Sequence, residues 1–494
     1  MSLTESIDTR PAGEVEADRE GPRPARASRL DVGTFTGLAM ALVGLGFGAS
    51  RISDNSFLTH LATGRQMLDH GVVREDVFTW TSGGESVVVQ SWLASFVYGV
   101  VDDLAGFHGL RLLTAALAAV LAALGWHLTR TSPSVFTRVA IMLPFLAIGH
   151  VNWSERPLLM AFVLFALTMV VVERGDAGEE RTRWLFLVGA FWINIHGSWP
   201  LALVYLGARG LGGLFDRGDV RPEARAFGYL GAGMLAGGIL NPYGPAMLLF
   251  PLDLLGRQEV LSHIVEWQSP SFDSMWTRAF LLMVLGTMGA LMRTGRWRDA
   301  LPAMVFVAAA LVGRRNIALA SLVLLPTMAR GLPALGRLAA DRTSDAIRLG
   351  CVAVAALLLV LPLVAVSRPH VDVSRYPEDA VTAMEDELGL VPGETRIIHQ
   401  DFVGNYLDVR YGDAGATWID DRFELHDATL VEDYLVLLDG GPRWREILDR
   451  YEAEAILWPV DGVLGELATE VAGWQEVWRD DDWLVLCAPG HPAC

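Results

Sequence analysis

The chain has 494 residues, of which 52% are hydrophobic and only 19% charged, and its net charge is −18. With a mean hydropathy of +0.34, this composition excludes a disordered chain and argues against a soluble enzyme, and the acidic balance argues against a nucleic-acid binder, which needs a basic face. The three cysteines, Cys351, Cys487 and Cys494, form no CxxC pair, which excludes a cysteine zinc site or a disulfide scaffold.

The 39 basic residues are all arginine, and charge divides the chain in two. Residues 369–494 carry 28 acids against 8 arginines, a net of −20, whereas the preceding 368 residues are nearly neutral and mostly apolar. Residues 1–31 are expected to be a disordered cytoplasmic tail. Residues 32–368 are expected to form a transmembrane domain, and residues 369–494 an extracytoplasmic α/β domain of its own core.

A membrane-crossing helix needs roughly 20 mostly apolar residues. Gly33–Ser50 and Leu349–Val366 each run 18 residues without a charge. Nine further apolar stretches lie near 109–129, 139–152, 157–172, 184–196, 198–215, 226–240, 279–292, 300–313 and 316–329. The expectation is therefore a mainly α, polytopic bundle of about eleven spans. The first stretch does not read as a signal peptide, because a long acidic segment precedes it and no small-residue cleavage site follows. With the N-terminus in the cytoplasm, the inner loops carry 20 arginines and the outer ones 8, the bias expected of cytoplasmic loops. The setting is then the plasma (inner) membrane, with the C-terminal domain outside. Trp92–Ala105 is the ambiguous segment. It is short and contains Asp102 and Asp103, so it is read as interfacial rather than as a twelfth span.

The first outer loop, 51–91, is long for a connection, and long ordered loops are usually functional. Ser53-Asp54-Asn55 suits a helix N-cap. Phe57, Leu61 and Leu68 follow at helical spacing, with Gly71 as the stop. Such a helix is expected to lie on the membrane surface, apolar side down. Ser82-Gly83-Gly84 signals a turn, and Trp80 and Trp92 read as interfacial anchors. In the C-terminal domain, 395–399, 416–419, 455–458 and 483–487 read as strands, and 377–388, 429–437, 442–453 and 462–472 as helices. Cys487 and Cys494 would sit in an oxidising compartment, where a disulfide and two free thiols both stand open.

Ionisable residues at membrane depth suggest function. On this topology several converge on the outer side: Asp54 and His60 in the first loop, Glu155 and Arg156 before the fourth span, His196 after the fifth, Glu266 in a later loop, and Arg314 and Arg315 after the ninth. Carboxylates, imidazoles and arginines at one face suit binding of a phosphate-bearing lipid and deprotonation of a hydroxyl. Each has a plainer reading. Asp54 serves equally as a helix cap, Glu155-Arg156 as a local pair, His196 as a turn residue, and the two arginines as flanking charges. Asn241-Pro242-Tyr243-Gly244 is first of all a turn.

The order of these motifs resembles the GT-C superfamily of polytopic glycosyltransferases, and more closely the bacterial RgtA-like membrane proteins. The matching residues run from Ser53-Asp54-Asn55-Ser56-Phe57 through Thr59-His60-Leu61 and Asp76-Val77-Phe78-Thr79-Trp80 to Ser91-Trp92-Leu93. They continue with Glu155-Arg156-Pro157, Asn194-Ile195-His196-Gly197, Asn241-Pro242-Tyr243-Gly244, Ile264-Val265-Glu266-Trp267 and Arg315-Asn316. Gly404-Asn405-Tyr406-Leu407 and Ile419-Asp420-Asp421-Arg422 resemble the same group's outer domain.

The resemblance implies transfer of a sugar from a polyprenyl-phosphate donor to an extracytoplasmic hydroxyl, with inversion. It gives Asp54 the role of general base and Glu155 that of a second acid. His60, Arg156, His196, Glu266, Arg314 and Arg315 are the substrate-binding candidates. Asn55 and Ser56 follow Asp54, so no DxD or DD pair is present. No cofactor is required, and a divalent cation is left open. The expected partners are the lipid-linked sugar, the membrane and a cell-envelope acceptor. The alternative is a non-catalytic protein on the same scaffold that binds or carries a lipid-linked glycan.

Overall fold

The computed structural model describes residues 30–176, 181–256, 265–336, 338–365 and 373–492. The tail expected over 1–31 lies almost wholly outside these residues, as does Cys494. The helices, in chain order, are α1 (Val32–Gly48), α2 (Ser56–His70), α3 (Trp92–Leu128), α4 (Val135–Asn152), α5 (Pro157–Asp176), α6 (Leu185–Ile195), α7 (Pro200–Phe215) and α8 (Arg221–Ile239). They continue with α9 (Ala246–Gly256), α10 (Met275–Thr294), α11 (Trp297–Val312), α12 (Ile317–Gly331) and α13 (Asp345–Ala365).

Each of the eleven apolar stretches is helical. Among the described residues five helices are long and apolar enough to cross a membrane: α3, α4, α5, α10 and α13. They carry large apolar side chains outward, among them Leu143, Leu282, Met292, Leu349 and Leu359, as expected of a surface that faces lipid rather than water. Helix α12 is buried along nearly its whole length and forms the centre of the bundle.

Local chemistry explains several ends. Asp31 caps α1 by accepting from the Thr34 N–H at 2.7 Å. Gly71 ends α2 at φ 87°, a conformation that favours glycine. Helix α3 is broken at Gly106, φ 57°, so Trp92–Ala105 runs on into the apolar half but at a changed direction. That first half packs on α2 where two glycines cross. A Cβ on Gly64 would meet the Ser95 carbonyl oxygen at 2.0 Å, and one on Gly99 would meet the Gly64 backbone at 2.5 Å.

The surface-helix expectation for α2 needs correction. Phe57, Leu58 and Leu61 are buried against Ala94, Tyr98 and Tyr376, so protein rather than lipid covers its apolar face, and Leu68 is exposed. Trp80 likewise packs into the outer domain, 6.2 Å from the Tyr451 ring, rather than anchoring at an interface. Trp92 donates to Asn194 Oδ1 at 2.7 Å.

The C-terminal domain holds α14 (Glu378–Asp386), α15 (Asp401–Tyr411), α16 (Ala428–Asp439), α17 (Trp444–Arg450) and α18 (Val463–Ala472). Its four strands are β1 (Ile397–Ile398), β2 (Ala455–Pro459), β3 (Gln475–Arg479) and β4 (Trp483–Cys487), in the order β1-β2-β4-β3. Only β1 and β2 are parallel. Side chains alternate between the two sheet faces. Ile456, Trp458, Leu484 and Leu486 pack with α16, α17 and α18, while Ala455, Leu457, Val485 and Cys487 pack with α14 and α15. Residues 416–419 are not a strand of this sheet. Thr417 instead bridges to Thr79 of the first outer loop, and the fourth strand is β3. Cys487 is disulfide-bonded and Cys351 is a free, buried thiol.

The C-terminal domain and the loop 51–91 are tied together by main-chain bonds. Thr417 N–H donates to the Phe78 carbonyl at 3.1 Å, and Trp80 N–H to the Thr417 carbonyl at 3.0 Å. Arg375 reaches the Ser53 carbonyl at 2.8 Å and Asn405 the Asn55 carbonyl at 3.2 Å. Buried Asp76 anchors the same seam, paired with Arg422 at 3.0 Å.

A second polar cluster sits at the other end of the bundle. Arg209 of α7, 1% exposed, pairs with Glu173 at 3.2 Å, Glu223 at 3.2 Å and Asp299 at 3.8 Å. Arg330 joins Glu173 and Asp299, each at 2.6 Å. Glu173 lies 16 residues along α5 from Pro157, about 24 Å at helical rise, so this cluster is remote from the outer domain.

Candidate functional site

Between the helical bundle and the C-terminal domain lies a cavity of about 550 Å³. Its floor comes from α2 (Ser56, Thr59, His60) and the turn before α3 (Gln90, Ser91); its far wall comes from α16 and the loop 421–425. The loop before α5 contributes Arg156, the turn after α6 His196, and the segments after α9 and α11 contribute Glu266 and Arg315. Of the eight residues singled out from the sequence, five line this cavity: His60, Arg156, His196, Glu266 and Arg315.

Arg156 is the hub. Its Nε donates to both carboxylate oxygens of Asp54, at 2.7 and 2.8 Å, and its Nη1 to Glu266 Oε1 at 2.8 Å. Burial works against its charge, but the carboxylates of Asp54 and Glu266 outweigh it and hold the guanidinium firmly protonated. Asp54 itself does not line the cavity. It accepts from the Ser56 N–H at 3.1 Å, which fits part of the expected capping role, although the residue next to the helix is Asn55, whose side chain makes no cap.

Glu155 also stands outside the cavity lining. It is buried at 6% exposure, and burial pushes its carboxyl up to about 7 against the hydrogen bonds it takes from backbone N–H groups. Tyr98 donates to its carbonyl at 2.6 Å. Arg314 is turned away as well. Its guanidinium stacks 5.4 Å from the Trp276 ring, while Arg315 lies 4.0 Å above the Trp267 ring and lines the cavity.

Both histidines are neutral at pH 7. Burial, then the Arg156 charge, lowers His60 to about 4, and its Nδ1 is 3.1 Å from Ser95 Oγ. Burial, then Arg315, lowers His196 to about 3, and its Nδ1 accepts from the Ser198 N–H at 3.0 Å. Gln90 accepts from the Gly197 N–H at 2.8 Å, which fixes that turn. Asn241 ties its own turn by donating to the Gly237, Gly238 and Gly244 carbonyls. Tyr243 from the same turn donates to the Val73 carbonyl at 2.7 Å.

The outer domain adds acids to which the sequence reading assigned no role. Asp421 accepts from Ser56 Oγ at 2.5 Å and, at a long 3.4 Å, from Thr59 Oγ1. Burial pushes its carboxyl up to about 7; the neighbouring Asp420 and Asp401 charges add to this, while the Ser56 hydrogen bond opposes it. Glu424 lines the same wall, its carboxyl also raised by burial. Asp420 is different. Arg422 and His426 hold it far below the usual carboxylate range in spite of its burial, with His426 Nε2 at 3.0 Å. In the sequence, Asp420 and Asp421 were signalled by the run Ile419-Asp420-Asp421-Arg422, whereas Glu424 lies outside it.

Ser91 Oγ is buried on the cavity floor and, among the described residues, has no hydrogen-bond partner. Among the described residues no three His, Cys, Asp or Glu side chains come together as a metal site. Chemically, the cavity offers three cations (Arg156, Arg315 and Arg422), neutral imidazoles, carboxylates and unpaired hydroxyl capacity, walled in part by apolar side chains such as Val431 and Leu435. No family model matches the chain, and no curated protein matches it either.

Proposed function

We propose that the protein is an integral-membrane glycosyltransferase that moves a sugar from a polyprenyl-phosphate donor to an extracytoplasmic hydroxyl, with inversion. The observation that carries this reading is the convergence of Arg156 and Arg315 with Asp421 in one cavity where membrane helices meet the outer domain. Arginine's forked donors suit phosphate oxygens. The leaving group is a stabilised phosphate and needs little acid help. A carboxylate must take the acceptor's proton, a contribution of typically 10²–10⁴-fold. The resemblance implies Asp54 for that role; in this geometry its oxygens are engaged by Arg156, which it aims at the cavity.

The same reading includes eleven crossings of the plasma membrane, with the N-terminus inside and the outer domain outside. The arginine asymmetry supports it. So does the packing of Trp92–Ala105 on α2, which carries the cavity floor: a helix tied to the outer site need not cross. The donor then enters sideways between helices, and the acceptor approaches under the outer domain.

The test is purified protein in nanodiscs given a panel of polyprenyl-phosphate sugars. Release or transfer of sugar is the expected result. Binding without turnover would favour the second reading, a non-catalytic carrier of lipid-linked glycans, which the engagement of Asp54 by Arg156 favours. Neither binding nor turnover overturns both.

A further inference from the structure

We infer that Asp421, carried by the outer domain, is the carboxylate that takes the proton from the acceptor hydroxyl, so that the active site is complete only when both parts of the chain meet; this rests on the transfer reading above. Apart from Glu424, which lines the same wall under the charges of Arg422, Asp420 and His426, the other acids at the site are committed elsewhere. Asp54 holds Arg156, Glu266 pairs with the same arginine at 2.8 Å, and Glu155 is buried away from the cavity. Asp401 accepts from Tyr434 Oη at 2.7 Å, and Asp420 is paired with Arg422 and His426.

Asp421 lines the cavity and, among the described residues, its carboxylate meets hydroxyls rather than an arginine. Ser56 and Thr59 of α2 hold it from the membrane side. Its main-chain N–H donates to Asn405 Oδ1 at 3.1 Å, and Asn405 in turn grips the Asn55 carbonyl. The side chain is thus fixed at the junction by partners that leave lone pairs available, since each carboxylate oxygen accepts twice. Its field reaches Arg156, which places proton acceptor and phosphate cation at one pole of the cavity.

In the step, a lone pair of the acceptor oxygen forms the bond to the anomeric carbon while the O–H proton passes to Asp421. The bond from that carbon to the donor's phosphate oxygen breaks with its electron pair on the phosphate. Lipid phosphate leaves, and Asp421 later returns its proton to water.

The charged and titratable groups facing Asp421 are Asp420, Asp401 and Tyr434 from the outer domain and Arg156 from the membrane part. Transfer should therefore rise with pH through about 7 as Asp421 ionises. Ser56→Ala removes a hydrogen bond that favours the ionised form, so this limb should move to higher pH. Glu155 titrates in the same range, but the Ser56 hydroxyl is bonded to Asp421.

The experiment uses the full-length protein in nanodiscs with a polyprenyl-phosphate sugar that the wild type turns over. Asp421→Asn should cut kcat by about 100-fold or more and leave donor affinity and Tm near wild type. Ser56→Ala should shift the acid limb upward. Near-normal kcat in Asp421→Asn overturns the inference while leaving the transfer reading intact. If Asp421→Asn does not fold, an unmoved limb in Ser56→Ala overturns it. A wild type inactive on every donor overturns both.

Discussion

Arg156 Nε donates to both carboxylate oxygens of Asp54, at 2.7 and 2.8 Å, across 102 positions of sequence. This pair joins the start of α2 to the start of α5 and points a fixed positive charge into the cavity. It also turns the first acid after α1 into a partner of the arginine proposed to bind the donor phosphate.

Asp54→Asn keeps an acceptor for the Ser56 N–H but loses the charge that holds Arg156. The expected outcome is weaker donor binding, by about 1.5–3 kcal/mol, the scale of a hydrogen bond to a charged group, with the acid limb of the pH profile unmoved. Donor titration and kcat on the same variant check it. A kcat loss of about 100-fold at unchanged donor affinity would return the role of base to Asp54.

The two neighbouring arginines should separate. Arg315→Ala should weaken donor binding by about 1.5–3 kcal/mol, because its guanidinium lines the cavity above Trp267. Arg314→Ala should change donor binding little, because that side chain stacks on Trp276 outside the lining. Equal effects of the two in a direct binding assay would contradict this geometry.

Topology is open to cysteine labelling. Glu432 on α16 and Asp219 in the loop before α8 are both exposed. A cysteine at Glu432 should react with an impermeant maleimide in intact cells, and one at Asp219 only after lysis. The reverse pattern would invert the whole arrangement.

The remote ion cluster predicts a stability effect without a site effect. Arg209→Ala would leave Glu173, Glu223 and Asp299 short of a buried counter-charge. Removing one partner of a buried ion pair costs about 3–5 kcal/mol. Thermal unfolding in detergent should drop sharply, while donor affinity measured below the transition stays near wild type, since the cluster is about 24 Å along α5 from the cavity.

Much of this architecture was legible in the residues alone. Apolar runs announced most helices of the bundle, because hydrophobic length is a local property, but α9 (Ala246–Gly256) was not among them. The acid-rich C-terminal part separated by charge, and three of its four strands followed from β-prone, alternating runs. Gly71 ended α2 as its backbone freedom allows. Local signals failed where long-range packing decided. Residues 416–419 have strand-like composition, but Thr417 pairs with Thr79 in the first loop, so the run is used at a domain seam. Leu68 shares the spacing of Phe57 and Leu61, but α2 turns its end away from its neighbours and leaves Leu68 exposed.

The same division holds for the site. Composition places polar residues at the ends of apolar runs, because spans must be apolar and charges collect at their borders. It therefore named Arg156, His196 and Arg315 at span ends and His60 and Glu266 in the loops between, and all five line the cavity. What each does was decided by tertiary structure. Asp54 and Glu155 lie beside Arg156 in space but outside the lining, and Asp421, 365 positions beyond Ser56, is brought to that serine's hydroxyl by the docked outer domain. Periodicity and composition report on neighbours within a few residues. The partner of a carboxylate, and hence its charge and its availability to a substrate, is set by groups that approach only when the chain has folded.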